Sequence, residues 1–329
     1  MAFDDIVGND RIKNILKKVL QKQRLPHALM LQGPSGVGKK DLALVAAKAL
    51  NCLNKTDDSC EICENCRAVN EERFPDVLVL APQKNVHELK QMQFLKETAF
   101  LKPMVGKKRV FVIEHADKVS PEAGSAPLKI LEEPPLFTHI ILTTERPQLV
   151  LPTIHSRCQV LTLSPVSRED ITRQLLKKGY TEEQANLIAL LVGGNINQAM
   201  NLEWESVQAL RARALDILQA CFENDGVATL LYEMTKSRAV LREDLERILE
   251  VHVTVIRDLL LLKEGGPREL LINADYEERL FALQENLDFR ECLDLSRAIE
   301  YAVYALQRRV NPALLVNFIL SRYMEHRHV

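Results

Sequence analysis

An apolar run, Ala28-Leu29-Met30-Leu31, leads into Gln32-Gly33-Pro34-Ser35-Gly36-Val37-Gly38-Lys39-Lys40 and then into a helix-forming stretch that runs through Ala49. Strand, glycine loop and helix in that order make a phosphate loop, in which backbone N–H groups and a helix N-terminus surround phosphate oxygens while a lysine neutralises them. Gly33, Gly36, Gly38 and Lys39 are the candidate phosphate-binding residues. Seven of the eight core positions fit, and the misfit is Lys40. It stands where a Ser or Thr hydroxyl would hold Mg²⁺, so the loop has the shape for phosphate without the metal ligand. Lys39 is left with two readings, a phosphate contact or a relic that stabilises the loop through an internal ion pair.

A loop of this kind sits at the end of a parallel strand, and the rest of the first half supplies further strands. Val77–Leu80, Arg109–Glu114, His139–Thr144 and Gln159–Leu163 are short β-rich runs separated by helical stretches. That alternation predicts an α/β parallel sheet covered on both faces, with ligands at the carboxyl ends of its strands. Helices are expected over about Arg11–Gln23, capped by Asn9 or Asp10, and over about Val86–Leu101. Pro127 interrupts the one that starts at Ser120-Pro121. The lysines of the first helix, Lys13, Lys17, Lys18 and Lys22, read as a solvated face. In P-loop enzymes the strand beside the loop ends in an acid that helps hold Mg²⁺. Glu114 takes that place here, followed by His115, which reads as a strand-end residue rather than a base.

From Ser164 onwards the pattern is helical only. Ser167 with Asp170 and Thr181 with Gln184 have capping-box spacing, and Gly193-Gly194 ends a helix. Longer amphipathic helices follow: Leu245, Ile248, Leu249, His252, Val255, Ile256 and Leu259 share one face, and Cys292, Leu295, Ile299, Ala302 and Leu306 another. His252 on such a face reads as a packed core histidine. Three domains are expected: 1–164, α/β and nucleotide-binding-like; 165–203, a small helical lid; 204–329, an all-helical bundle suited to oligomerisation.

Four of the seven cysteines cluster as Cys52, Cys60, Cys63 and Cys66, a C-x7-C-x2-C-x2-C array inserted after the loop helix. No signal segment and no membrane-length apolar run is seen, so a cytosolic, cytoplasmic chain is expected, and thiolates so spaced in that compartment point to a structural Zn²⁺. Because the four ligands come from one short segment, loss of one is expected to loosen the insertion only. A net charge of −2 argues against wrapping nucleic acid by bulk positive charge, so any DNA contact is local or shared.

Several pieces in fixed order resemble the clamp-loader branch of the AAA+ ATPases across essentially the whole chain. They are Phe3-Asp4-Asp5-Ile6-Val7-Gly8, the phosphate loop, the cysteine insertion, Leu128-Lys129-Ile130-Leu131-Glu132-Glu133-Pro134-Pro135, Leu151-Pro152-Thr153-Ile154 with Ser156-Arg157-Cys158-Gln159, Gly193-Gly194-Asn195, and Val310-Asn311-Pro312. The resemblance implies that Arg157 is an arginine finger that reaches a neighbouring subunit's nucleotide; alone, it would read as a surface cation paired with a carboxylate. Hydrolysing tau/gamma subunits of that family carry G-K-T or G-K-S, an Asp-Glu pair and a lid Arg, where this chain has Gly38-Lys39-Lys40, Glu114-His115 and Asn197. Metal ligation, water activation and γ-phosphate neutralisation are thereby each weakened. The implied role is a non-hydrolysing stator that completes a neighbour's site during loading of a sliding clamp onto primed DNA. Its implied partners are the tau/gamma and delta subunits, with the clamp and primer-template DNA met through the complex. The alternatives are an active tau/gamma-like ATPase, and a P-loop kinase for which the helical half offers no acceptor lid.

Overall fold

The computed structural model describes residues 1–83, 86–222, 242–308 and 310–325, which fall into two compact units, Met1–Asn201 and Leu202–Val329. The first unit is built on a parallel sheet of strands β1 (Ala28–Gln32), β2 (Val77–Leu80), β3 (Arg109–Ile113), β4 (Thr138–Thr144) and β5 (Gln159–Thr162), in spatial order β2-β3-β4-β1-β5. Every residue of β3 and β4 is buried, and the apolar stretches Val110–Ile113 and Ile140–Leu142 suit strands covered on both faces.

Successive residues of each strand face opposite layers. Leu29, Leu31, Val110, Val112 and Ile141 pack under helices α1 (Asp10–Gln21) and α2 (Lys39–Asn51), with Phe3, Leu16, Leu42 and Val45. Met30, Phe111, Ile113, Ile140 and Leu142 form the other layer, with Met92 and Leu95 of α4 (Leu89–Thr98), Ile130 and Leu131 of α6 (Leu128–Glu132) and Ile154 of α7 (Pro152–His155). A fully buried side chain of this size contributes about 1.5–3 kcal/mol, so truncating Phe111 at the centre would cost about 3–5 kcal/mol. The short helices α3 (Glu64–Asn70) and α5 (Pro121–Gly124) complete the α/β layers, the latter separated from α6 around Pro127 as expected.

Four expectations need correction. Strand β3 is not beside β1, because β4 lies between them, so Glu114 stands one strand further from the phosphate loop than the sequence suggested. Asn9 takes the N-cap position of α1, but its side chain does not cap the helix. Its Oδ1 accepts from Ser164 N at 2.8 Å and its Nδ2 donates to Ser164 O at 3.0 Å, tying the chain before α1 to the end of β5. The lysine face is only partly solvated, since Lys13 is buried and donates to Ile6 O at 2.7 Å. Helix α4 begins at Leu89 rather than Val86, because Gln83 and Val86 exchange backbone bonds in a turn.

Helices α8 (Arg168–Lys177), α9 (Glu182–Leu191) and α10 (Ile196–Asn201) finish the first unit. Ser167 caps α8 and Thr181 forms a reciprocal box with Gln184, as their spacing predicted. The second unit is helical throughout its described residues: α11 (Trp204–Phe222), then Arg242–Lys263, Glu277–Asn286, Phe289–Gln307 and Pro312–Glu325. Both apolar faces read from the sequence are buried. His252 donates from Nε2 to Ala214 O at 2.8 Å and accepts the Tyr323 hydroxyl at Nδ1 at 2.7 Å. With both nitrogens occupied and burial holding its pKa down to about 4, it is a neutral core histidine.

Candidate functional site

Residues 33–38 turn the chain from the end of β1 into α2. Gly33 comes so close to β5 that a Cβ would meet Leu163 O at 2.5 Å, and Gly38, at φ +85°, enters α2 in the left-handed region that glycine tolerates. The loop's first lysine points inward. Lys39 is 7% exposed, donates to Gly33 O at 3.0 Å and also to Pro34 O, and lies 3.7 Å from Glu145 Oε1. Burial lowers the Lys39 pKa, and Glu145 offsets part of that.

Lys40 crosses the gap left by the strand order. Its ammonium lies 2.7 Å from Glu114 Oε1, an ion pair held by charge at an angle outside hydrogen-bond geometry. Glu114 is well fixed: its N–H bonds Leu80 O at 2.9 Å, and its carbonyl accepts from Nε2 of the fully buried His87 at 2.6 Å. Next to it, His115 adopts the left-handed conformation at φ +51° and donates its N–H to Thr143 Oγ1 at 3.3 Å. It stands in the turn that follows β3.

The four clustered cysteines converge. Their sulfurs all lie within 4.8 Å of one another, and all four are free thiols. A tetrahedron with metal–sulfur bonds of about 2.3 Å has edges of about 3.8 Å, so small adjustments suffice for one ion. Backbone amides already serve the sulfurs: Lys55 N to Cys52 at 3.3 Å, Cys63 N to Cys60 at 3.3 Å and Cys66 N to Cys63 at 3.4 Å. Burial raises the Cys60 thiol, but the amides of Ile62 and Cys63 outweigh it and bring it down to about 6, while burial pushes Cys66 up to about 12. Opposite shifts are what neighbouring thiols give when ionising one discourages the next, and a bound cation removes that conflict. The set can hold a metal ion, and four thiolates suit zinc.

The insertion is not self-contained, contrary to what its spacing suggested. Cys52 caps the C-terminus of α2, Asn65 Nδ2 donates to Asn51 O at 2.8 Å, and Lys107 Nζ donates to Cys52 O at 2.8 Å. Glu61 joins it to α2 by accepting from the buried Lys48 at 2.6 Å, and it also accepts from Ser59 Oγ at 2.6 Å and Asn70 Nδ2 at 2.8 Å. Behind Lys107, the buried carboxylate of Asp76 accepts the N–H groups of Met104, Val105 and Gly106, each at 2.8 Å, and pairs with Arg109 at 3.1 Å. The loop that buttresses Cys52 is therefore anchored at three consecutive amides.

Arg157 follows α7 and is one-third exposed. Its guanidinium donates through Nε to Glu132 Oε1 at 2.9 Å, through Nη2 to the same oxygen, and through Nη1 to Thr153 O at 2.9 Å. Glu132 is half exposed, so the pair lies open to solvent.

A family profile described as DNA polymerase III, delta subunit matches residues 8–167. The delta-prime subunit of DNA polymerase III from Bacillus subtilis is 30% identical over 264 residues, covering 79% of this chain and 80% of that protein. The chain belongs to the DNA polymerase III delta-prime family. It is also similar to DNA polymerase III subunit tau of Escherichia coli, 27% identical over 277 residues, and to subunit gamma/tau of Mycoplasma pneumoniae, 34% identical over 182. It spans only 43% and 26% of those two proteins. For a delta-prime family member, the residues that sequence reasoning missed are the ones arriving from far along the chain: Glu145 at Lys39, His87 behind Glu114, Asn195 over Gly36, Glu132 at Arg157 and Asp76 behind the cysteine cluster. Asp76, Glu132 and Asn195 left a signal, the first as an acid just before a strand and the other two as members of recognised segments.

Proposed function

We propose that this chain is a non-hydrolysing stator of the DNA polymerase III clamp loader, acting with tau/gamma and delta subunits while the sliding clamp is loaded onto primer-template DNA. Residues 1–164 form its nucleotide-binding-like domain, 165–203 its lid and 204–329 its oligomerisation bundle, all in the cytoplasm. Cys52, Cys60, Cys63 and Cys66 hold a structural Zn²⁺ that, with all four positions taken by thiolates, leaves none open for catalysis. Gly33, Gly36, Gly38 and Lys39 retain the shape of a phosphate loop, and any residual nucleotide there is held without turnover.

The observation that carries this reading is the position of the Lys40 ammonium on Glu114. A hydrolysing site needs that acid and a hydroxyl at position 40 for Mg²⁺, and a water-orienting carboxylate where His115 stands. Arg157 is differently placed. An exposed carboxylate holds it weakly, and a planar guanidinium can exchange Glu132 for the developing charge on a neighbour's γ-phosphate.

Steady-state hydrolysis by the isolated chain, with DNA present, tests the reading. The expected result is background turnover, unchanged by Lys39→Ala. Turnover that is abolished by Lys39→Ala would make the chain an active tau/gamma-like ATPase instead.

A further inference from the structure

The phosphate loop has a partner inside its own compact unit. Asn195 lies just after Gly194 and before α10, and a Cβ on Gly36 would fall 1.6 Å from Asn195 Oδ1, so that side chain occupies the space directly over the loop. Asn197 N donates to Gly36 O at 3.2 Å. The same Asn195 oxygen accepts Gln198 N at 2.9 Å, so it holds the start of α10 while it packs on the loop. Residues 195–197 are therefore seated on Gly36. The seat is shaped from below by Lys39, which draws Gly33 O and Pro34 O onto its ammonium, and by Lys40, which ties the first turn of α2 to the end of β3.

In a hydrolysing phosphate loop a divalent cation bridges the hydroxyl at the position of Lys40 and the acid at the strand end. Here one ammonium spans both places. We propose that the Lys40–Glu114 pair is a built-in replacement for that metal bridge. It holds the loop in the shape on which residues 195–197 close, so that the helical segment stays closed on the loop without metal or nucleotide. A ligand shifts a conformational equilibrium only by its differential affinity for the two states. Mg²⁺ would have to displace a positive charge already paired with Glu114, so adding it with nucleotide should move nothing. This deepens the non-hydrolysing reading, and its test involves neither turnover nor partners, so each can fail without the other.

The test is hydrogen–deuterium exchange on the full chain: wild type, Lys40→Thr, Lys40→Arg, Glu114→Gln and the Lys40→Thr/Glu114→Gln double variant, each with and without Mg²⁺ and ATP. Breaking a half-exposed pair should open the seat up to about fivefold more often, seen as faster exchange at residues 36–40 and 195–199. Lys40→Thr and Glu114→Gln should have similar effects, the double variant should be no worse than either, and Lys40→Arg should stay near wild type. Wild-type exchange should not respond to Mg²⁺ and ATP. Unchanged exchange at residues 195–199 in both single variants, or additive effects in the double variant, would overturn the proposal. So would acceleration spread evenly over β1, β3 and β4, because the pair would then be an ordinary contact of the fold; protection of wild type by Mg²⁺ and ATP would also contradict it.

Discussion

The phosphate loop and the cysteine cluster are both short stretches whose spacing names a ligand, yet the folded chain treats them in opposite ways. At the cluster, four sulfurs converge and amide N–H groups point at them, so the site concentrates negative charge and calls for a cation from outside. At the loop, the protein supplies its own cations and its own acceptors: Lys39 bonds Gly33 O and Pro34 O, and Lys40 pairs with Glu114. Spacing decides where the backbone goes. Whether a site still needs a ligand is decided by side chains that arrive from elsewhere in the chain.

The contrast predicts unequal responses to losing metal. Stripping metal with a strong chelator, or making Cys63→Ser, should destabilise the first unit by more than about 5 kcal/mol, because the four sulfurs lose the ion that would tie them together and Cys52 ends the loop helix. Elemental analysis of reductant-purified protein should find about one zinc per chain, and a thermal melt should show the loss. Removal of Mg²⁺ should leave the melt unchanged. Equal sensitivity to both treatments would erase the distinction.

The next largest effect shows how far the cluster's support extends. Asp76→Ala should cost about 3–5 kcal/mol in denaturant unfolding, since Arg109 and three amides lose a buried carboxylate partner. Burial raises the Asp76 pKa, but the amides of Gly106, Val105 and Met104 and then Arg109 outweigh it, leaving it below the usual carboxylate value. Stability from Asp76 is thus complete above the unfolded carboxylate pKa and is lost as pH falls through the lower folded one. Glu61 behaves in the same direction. Although burial opposes it, hydrogen bonds led by Lys48 bring its pKa from 4.5 down to about 2, so its contribution is present above about 4.5 and disappears towards pH 2. Glu61→Gln should flatten that acid limb by roughly 1 kcal/mol, because solvent reaches the carboxylate and screens the full shift. An unchanged acid limb would detach Glu61 from the cluster's support.

How much of this was legible in the sequence depended on range. Short apolar runs such as Arg109–Ile113 and Thr138–Thr144 declared themselves as buried strands, and Ser167 and Thr181 as helix caps, because local spacing encodes both. Strand order did not follow, since nothing within Arg109–Ile113 says that β4 will intervene between it and β1. Asn9 looked like a cap and instead bonds Ser164, for the same reason. At the site, Lys40 was visible as a broken motif, but its use was not. The acid that holds it comes from another strand, and Asn195 over Gly36 comes from beyond the sheet altogether.

The smallest stability effect belongs to the residue with the largest assigned role. Arg157→Ala removes one solvent-open pair with Glu132, so the isolated chain should lose no more than about 0.5 kcal/mol and its melting temperature should barely move. A large loss would mean that Arg157 is a structural residue of α7 and not a group free to serve another subunit.

The most direct measurement compares DNA-stimulated ATP hydrolysis by reconstituted clamp loader carrying wild type, Lys39→Ala or Arg157→Ala in this chain alone. If the chain completes a neighbour's site and has none of its own, Arg157→Ala lowers the rate, with up to about 10³-fold at the affected site, Arg157→Lys restores little of it, and Lys39→Ala matches wild type. Wild-type hydrolysis with Arg157→Ala, together with a loss on Lys39→Ala, would contradict the account.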